Sequence, residues 1–179
     1  VYSDPAAVGF FFLGALMMLE KSEGVRVALA TSPATAAAYL GGKLLTLTGL
    51  SLAACLVLLL VHPAPQPLLL LAAVTLTAVA FLALGVPIAL RFRTVNAYLV
   101  GSSALLTPIV GPAALALLDP LPAWLGLWPP IAQFRLILIA LGYGTAGPAE
   151  LLVMFASAGI AAIAAIWVAL RVLRQELGK

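Results

Sequence analysis

Apolar residues follow one another in five long runs along this chain. The runs cover residues 5–19, 44–61, 68–90, 95–118 and 149–170, and most of the charged residues lie between them. A helix needs about 20 mostly apolar residues to cross the hydrocarbon core of a bilayer. The pattern therefore predicts an all-α polytopic membrane protein, with five visible transmembrane helices that form a single transmembrane domain over residues 1–179.

The composition excludes a water-soluble globule. Apolar residues make up 64% of the chain and charged residues 8%, whereas an average soluble domain has about 25% charged residues. The net charge of +3 comes from nine Lys and Arg residues scattered over the whole chain. They form no dense basic patch of the kind that binds a phosphate backbone, so we expect no nucleic-acid partner.

A sixth apolar run, at residues 131–141, is too short to be counted as a span. It contains Gln133 and Arg135 and has only about ten apolar residues, half of what a bilayer requires. It is typical of a re-entrant or interfacial helix. The preceding residues 119–130 combine prolines with Trp124 and Trp128, a composition that predicts short helices resting on the outer leaflet.

Positive charges orient the five predicted spans. Eight of the nine fall in connections on one side of the membrane, and only Arg135 falls on the other: Lys21, Arg26, Lys43, Arg91, Arg93, Arg171, Arg174 and Lys179 share the first side. Because positive residues favour the cytoplasmic side, we expect a multi-pass protein of the cell (inner) membrane with a cytoplasmic C-terminus. Val1 would then lie outside with no signal peptide before it, which predicts a further span upstream and six in total.

The inner connection at residues 20–43 alternates charged and apolar residues near its centre. This pattern is compatible with a short amphipathic helix on the membrane surface that docks a partner, or with an ordinary polar elbow. Thr31 or Ser32 followed by Pro33 predicts the cap and first turn of a second helix over residues 34–40.

Small polar residues share helix faces inside two of the predicted spans. One face carries Thr48 and Ser51 together with Cys55, and the other carries Asn96, Ser103 and Thr107. Such side chains usually pack against neighbouring helices, but they could also line a translocation path. The second face leads to Pro108 and to Gly111-Pro112, where the chain is expected to kink or break.

The last span carries two further signals. Ala158, Ala162, Ala165 and Ala169 form a seam of small residues that would let another helix approach closely. Glu150 follows Gly147-Pro148 in the predicted first turn, where a carboxylate favours the helix dipole. A cap is therefore a better interpretation of Glu150 than a proton carrier.

No set of residues predicts catalysis or a metal site. His62 is the single histidine and Cys55 the single cysteine, and neither has evident partners for a metal or a catalytic triad. The run Gly142 to Gly147 matches a dinucleotide-binding pattern only formally, because no parallel sheet would support it. We therefore expect no catalytic residue, no metal and no cofactor in this chain.

Two segments resemble a known family. The first joins an acidic residue, a Glu-Gly pair, a Ser-Pro pair and a Tyr-Leu-x-x-Lys element, and it reads Glu20-Lys21-Ser22-Glu23-Gly24-Val25, Thr31-Ser32-Pro33 and Tyr39-Leu40-Gly41-Gly42-Lys43. It is similar to the connection after the second span of ABC-2 type transporter permeases. The second segment, Arg91-Phe92-Arg93-Thr94-Val95-Asn96, resembles the fluoroquinolone-exporter-like branch of that family.

This resemblance, which covers residues 5–110, implies a six-span permease of the type V exporter-like kind, with short extracytoplasmic re-entrant helices before its last span. It implies export of a hydrophobic or amphiphilic compound, such as a drug, by a dimer of permease chains. It also implies a cytoplasmic ABC ATPase partner that uses ATP and Mg²⁺. Residues 22–30 would be the coupling helix, and the coupling residues would be Glu20, Glu23, Gly24, Val25, Arg26 and Leu29.

Other functions remain open from the sequence. Haem-exporter permease subunits share a related elbow, which makes them a weaker resemblance. A self-contained channel or secondary transporter is a different class, although no predicted span carries a charge near its centre, as ion and proton pathways usually do. Thr48, Ser51, Asn96, Ser103 and Thr107 would be the residues of a translocation path in either kind of transporter.

The predicted orientation can be tested by thiol labelling in a Cys55→Ser background. A cysteine at Ser32 should be protected from a membrane-impermeant reagent in intact cells, because residue 32 lies in an inner connection. A cysteine at Gln66 should be labelled. The reverse pattern would refute the orientation.

Overall fold

A computed structural model describes residues 8–118 and 121–178, and over these ranges the chain is helical and forms no strand. A π-helical turn leads into the first α-helix, and the following elements are joined by short connections. In order these are the π-helix Val8–Phe12, α1 (Leu13–Ser22), α2 (Val25–Thr31), α3 (Ala36–Val61), α4 (Pro67–Arg91), α5 (Val95–Val110), the 3-10 helices Gly111–Leu117 and Ala123–Leu127, α6 (Pro129–Ala140) and α7 (Pro148–Leu177).

Four helical stretches in the described ranges are long and apolar enough to cross a membrane. They are α3, α4, the stretch Val95–Leu117 and α7, and they indicate a membrane-embedded protein. Helix α6 has 12 residues and is too short, as predicted. The first of the five predicted spans appears as the continuous helix from Val8 to Ser22, which is not among these four stretches. Its predicted beginning at residue 5 lies outside the described residues.

The predicted helix over residues 34–40 is largely present as the beginning of α3, but two predicted span boundaries and one predicted cap are wrong. Helix α3 begins at Ala36, eight residues before the predicted span, because Thr35 caps it by accepting a hydrogen bond from the Ala38 amide at 3.1 Å. The cap predicted at Thr31 or Ser32 does not form, since the Ser32 hydroxyl donates to the Leu29 carbonyl and closes α2 instead. At the other end of the chain, α7 continues to Leu177 rather than stopping at 170.

Helix α4 is the most buried of the four long helices and lies at the centre of the bundle. It packs against α7, α3, α6 and α1. The predicted small-residue seam is confirmed as buried, and it lies on α7 at Ala158, Ala162, Ala165 and Ala169. Ala165 and Ala169 belong to one apolar cluster with buried alanines of α4, such as Ala78 and Ala83. Small side chains on both helices allow the close approach of α4 and α7.

The predicted break in the next span is confirmed. Helix α5 continues through Pro108 and then changes at Gly111 into a 3-10 helix, whose second residue is Pro112. Proline removes an amide donor, and the tighter 3-10 winding satisfies part of the interrupted backbone. The stretch Val95–Leu117 is the least buried of the four long helices. Its position therefore depends on few contacts.

The segment after this break enters the bundle. The end of the bundle that holds the α3–α4 connection is called the outer end below, following the predicted orientation. The Leu127 carbonyl accepts a hydrogen bond from the Ser157 hydroxyl at 2.9 Å, ten residues into α7. Trp128 and Pro129 share a cavity wall with Phe81 and Ala161, which lie halfway along α4 and α7.

Helix α6 then returns to the outer end, where the Ala140 carbonyl accepts from the Gln66 amide at 3.2 Å. Eight residues of α6, including Ile131, Arg135 and Ile139, are buried. Helix α6 is therefore inserted between α4 and α7. Residues 131–141 were predicted to form a re-entrant or an interfacial helix, and the burial of α6 within the bundle favours the re-entrant alternative.

One side chain ties the first helix to the broken one. Tyr98 of α5 is fully buried, and its hydroxyl donates a hydrogen bond to the Phe10 carbonyl in the π-helical turn. The ring lies against Gly14 of α1 so closely that a Cβ atom there would overlap it. Gly14 therefore admits the Tyr98 ring between α1 and α5.

Replacing Gly14 with alanine should lower stability, because the new methyl group would displace a fully buried ring. Overpacking of this kind costs about 1–3 kcal/mol. Gly159→Ala in α7 is the matched control, since nothing lies within 4 Å of a Cβ there and alanine is favoured over glycine in a helix interior. Thermal unfolding in detergent should place the Gly14 variant below the unmodified chain and the Gly159 variant at or above it. Equal midpoints for the two variants would contradict the close packing.

Candidate functional site

A compact polar network holds the base of the inner connection. The Glu20 carboxylate, at the end of α1, forms an ion pair with the Lys43 ammonium at 2.6 Å, and it also accepts a hydrogen bond from the Tyr39 hydroxyl. The Lys43 ammonium lies 4.9 Å from the centre of the Tyr39 ring, a distance at which a cation and a ring attract each other. Since Tyr39 and Lys43 belong to α3, this network fixes the distance between α1 and α3.

The short helix α2 stands between these two anchored helices. Gly24 has φ = +75°, a conformation that other residues rarely adopt, and it makes the sharp turn from α1 into α2. Glu23 and Gly24 are exposed at this turn, whereas Val25 and Leu29 are half-buried toward the bundle. The side chain of Arg26 lies outside the described part of the structure. Helix α2 is thus a short element that presents an exposed turn.

The predicted path residues of α3 face the interior of the bundle. Thr48 and Ser51 are buried, with 8% and 6% of their surface exposed, and neither hydroxyl has a hydrogen-bond partner. Several other hydroxyls in the long helices bond to backbone carbonyls of their own helix, as Thr77 does to Ala73. An unpartnered buried hydroxyl costs about 1–3 kcal/mol. Thr48 and Ser51 therefore form a polar spot that the packing of this chain does not satisfy.

The predicted path residues of α5 lie on its exposed surface. Asn96, Ser103 and Thr107 are all exposed, and the hydroxyls of Ser103 and Thr107 donate to the Leu99 and Ser103 carbonyls of the same helix. The structure therefore does not bring this face together with Thr48 and Ser51 inside one chain. One set points into the bundle and the other away from it.

A charged side chain inside the bundle was not predicted as a site residue. Arg135 of α6 is 4% exposed, and its Nη1 donates to the Ala116 and Leu118 carbonyls at 3.1 and 3.3 Å. These carbonyls belong to the segment that follows the broken helix. Buried arginines in membrane proteins commonly pair with backbone carbonyls in this way. Gly144, with φ = +111°, passes close to the guanidinium, which a Cβ atom at this position would meet at 3.1 Å.

An outer cavity of about 450 Å³ borders this arginine. Its wall combines apolar side chains with two charged groups, and includes Leu121, Gly126, Arg135, Glu150, Val153 and Met154. The Glu150 carboxylate accepts a hydrogen bond from the Gly147 amide at 3.2 Å, which confirms its predicted role as a cap of α7. The sequence shows Arg135 as a charge that interrupts an apolar run. Its depth could not be predicted, because that depends on how α6 packs.

Among the described residues, no group of three or more His, Cys, Asp or Glu could hold a metal ion. His62 is exposed at the end of α3. Cys55 is buried with a free thiol. The described polar features are therefore the network at Glu20, the hydroxyls of α3 and α5, and the arginine of α6.

Arg135→Leu should loosen the outer loop, residues 141–147, because Gly144 in this loop would lose the guanidinium that it lies against. The Ala116 and Leu118 carbonyls beside it would also lose a charged donor. Hydrogen bonds to a charged group contribute about 1.5–3 kcal/mol each. We expect protease cleavage within residues 141–147 to become faster in detergent-solubilised protein. Arg171→Leu provides the control, since Arg171 is exposed and its guanidinium lies over the Trp167 ring. Equal cleavage rates in the two variants would show that Arg135 does not hold the loop.

Comparison with known proteins yields no relative. No family model, no curated protein and no solved structure matches this chain. What the chain does must therefore be inferred from its own residues and their geometry.

Proposed function

We propose that this chain is the permease subunit of an ATP-binding-cassette exporter of the ABC-2 type. It would move a hydrophobic or amphiphilic compound out across the membrane, with energy from ATP hydrolysis in a separate cytoplasmic subunit. The supporting observation is the spatial meeting of residues that carry the sequence resemblance. Glu20 contacts both Tyr39 and Lys43, although 19 and 23 residues separate them along the chain.

This network supports a coupling role for α2. A helix that receives force from a partner must be anchored at its base, or the force would only bend a loose connection. Glu20 and Lys43 supply that anchor between α1 and α3, and both side chains are mostly buried. An ion pair that is shielded from water is screened less by salt than an exposed pair. The exposed turn at Glu23 and Gly24 would then be the contact point for the ATPase subunit.

The exposed face of α5 supports a path between two permease chains. It combines apolar side chains such as Leu99 and Val100 with the polar groups of Asn96, Ser103 and Thr107. In lipid, an asparagine side chain is better accommodated by a protein partner or a water-filled space than by hydrocarbon. A path of this composition suits an amphiphilic compound, which needs mostly apolar walls and a few hydrogen-bonding groups. We therefore propose that the transporter contains a second copy or a related chain.

The coupling role is tested by changing the exposed turn. Glu23→Lys reverses a charge, and Gly24→Val forces a β-branched residue into a positive φ, so both should disturb contact with the ATPase subunit. Export should fall by about tenfold, within the usual range of a coupling free energy, while membrane insertion and dimer assembly persist.

The control for the charge reversal is Glu176→Lys, an exposed position near the end of α7 on the same side of the bundle. Export and ATP hydrolysis are measured together in membrane vesicles. Unchanged export in both turn variants would make the connection an ordinary elbow.

A further inference from the structure

The contact between α1 and α5 is made by a tyrosine that belongs to neither predicted site. Tyr98 is among the largest fully buried side chains of the described structure. Its hydroxyl reaches the Phe10 carbonyl, 88 residues away in the sequence, and its ring fills the space left by Gly14. A hydrogen bond and a close ring contact thus act at the same point.

The connection between α4 and α5 contacts Tyr98 from another direction. Phe92, the first residue after α4, folds back onto α5, where a Cβ atom at Gly101 would overlap its ring. The Phe92 and Tyr98 rings meet edge to face, with centres 5.9 Å apart, a favourable geometry for aromatic pairs. The inner half of α5 therefore packs against Phe92 of the α4–α5 connection and against α1.

The acceptor carbonyl lies in an irregular part of the first helix. Phe10 belongs to the π-helical turn Val8–Phe12, which continues directly into α1. Single π-turns are rare and frequently occur at functional sites. Glu20, ten residues further along, carries the network that anchors α2. Helix α1 is thus fixed to α5 at one end and to the inner connection at the other, about 15 Å away at 1.5 Å per residue.

We infer that Tyr98 is a positioning residue that transmits a displacement of α1 and α2 to the broken helix α5. Helix α5 is the least buried of the four long helices, so it has few other contacts that could hold it. A shift of α1 would be carried to α5 through the hydroxyl of Tyr98 and through its ring against Gly14. This inference rests on the proposed function, in which α2 receives the force and the exposed face of α5 borders the path.

The test separates the movement of α2 from the movement of α5. Two single-cysteine reporters are made in a Cys55→Ser background, Ala28→Cys on α2 and Ala97→Cys on α5, and both positions are exposed. Each reporter chain is expressed in cells that also make the other subunits of the native transporter. Labelling by a small water-soluble maleimide is followed in inside-out membrane vesicles from these cells, with and without Mg²⁺-ATP. Each reporter is combined with Tyr98→Phe, which keeps the ring and removes the hydroxyl.

We expect Mg²⁺-ATP to change the labelling rate at both reporters when Tyr98 is present. In Tyr98→Phe, the change at Ala28→Cys should remain, while the change at Ala97→Cys should fall at least about twofold, the scale of one hydrogen bond. Tyr143→Phe is the control, since Tyr143 is an exposed tyrosine in the outer loop. Phe92→Leu weakens the contact of the α4–α5 connection with Tyr98. It should partly reduce the ATP-dependent change at Ala97→Cys, even if Tyr98→Phe does not fold.

The outcomes have different meanings. An intact change at Ala97→Cys in both Tyr98→Phe and Phe92→Leu would overturn the inference and leave the proposed function standing. A labelling rate at Ala28→Cys that does not respond to Mg²⁺-ATP, with Tyr98 present, would overturn the proposed function and this inference with it. A loss at both reporters in Tyr98→Phe would show that Tyr98 only stabilises the fold, which also contradicts the inference.

Discussion

The need to satisfy backbone groups within an apolar bundle governs the outer half of this structure. A continuous helix meets that need by itself, but the chain leaves the α-helical path after Val110, and the next α-helix of the described residues begins at Pro129. In hydrocarbon each unpaired amide or carbonyl would cost several kcal/mol. The charged side chain of Arg135 supplies donors to two carbonyls of this segment. Helix α6 therefore offsets the loss of helical hydrogen bonds at the break in α5, and it must be buried to do so.

The sequence predictions that succeeded rest on local properties of the chain. The long spans were found because hydrophobicity is a local property, and a run of apolar residues keeps its meaning whatever it packs against. The break near Gly111 was predictable for the same reason, since the loss of the proline amide is local. The residue that caps α3 was harder to predict, because Ser32 and Thr35 both have suitable hydroxyls. Only the folded chain shows that Ser32 is used by α2.

The functional residues were less predictable, because burial depends on partners distant in the sequence. Periodicity correctly placed Thr48 with Ser51 on one face and Asn96 with Ser103 on another. It could not show that the first face turns inward and the second outward. Tyr98 and Gly14 gave no signal either, since a tyrosine near a membrane surface usually suits the interface. Their importance comes from a contact that joins two helices 84 residues apart in the sequence.

The seam of alanines between α4 and α7 has a consequence for how the molecule can change shape. Ala165 and Ala169 of α7 share one apolar cluster with Ala78, Ala83 and Ala89 of α4, so short side chains separate the two backbones along this part of the contact. Interdigitated long side chains can change rotamer and let helices slide, as in shear motions, but alanine has no rotamers to change. The α4–α7 pair should therefore behave as one rigid body. A rearrangement of the bundle would then move the remaining helices relative to this fixed pair.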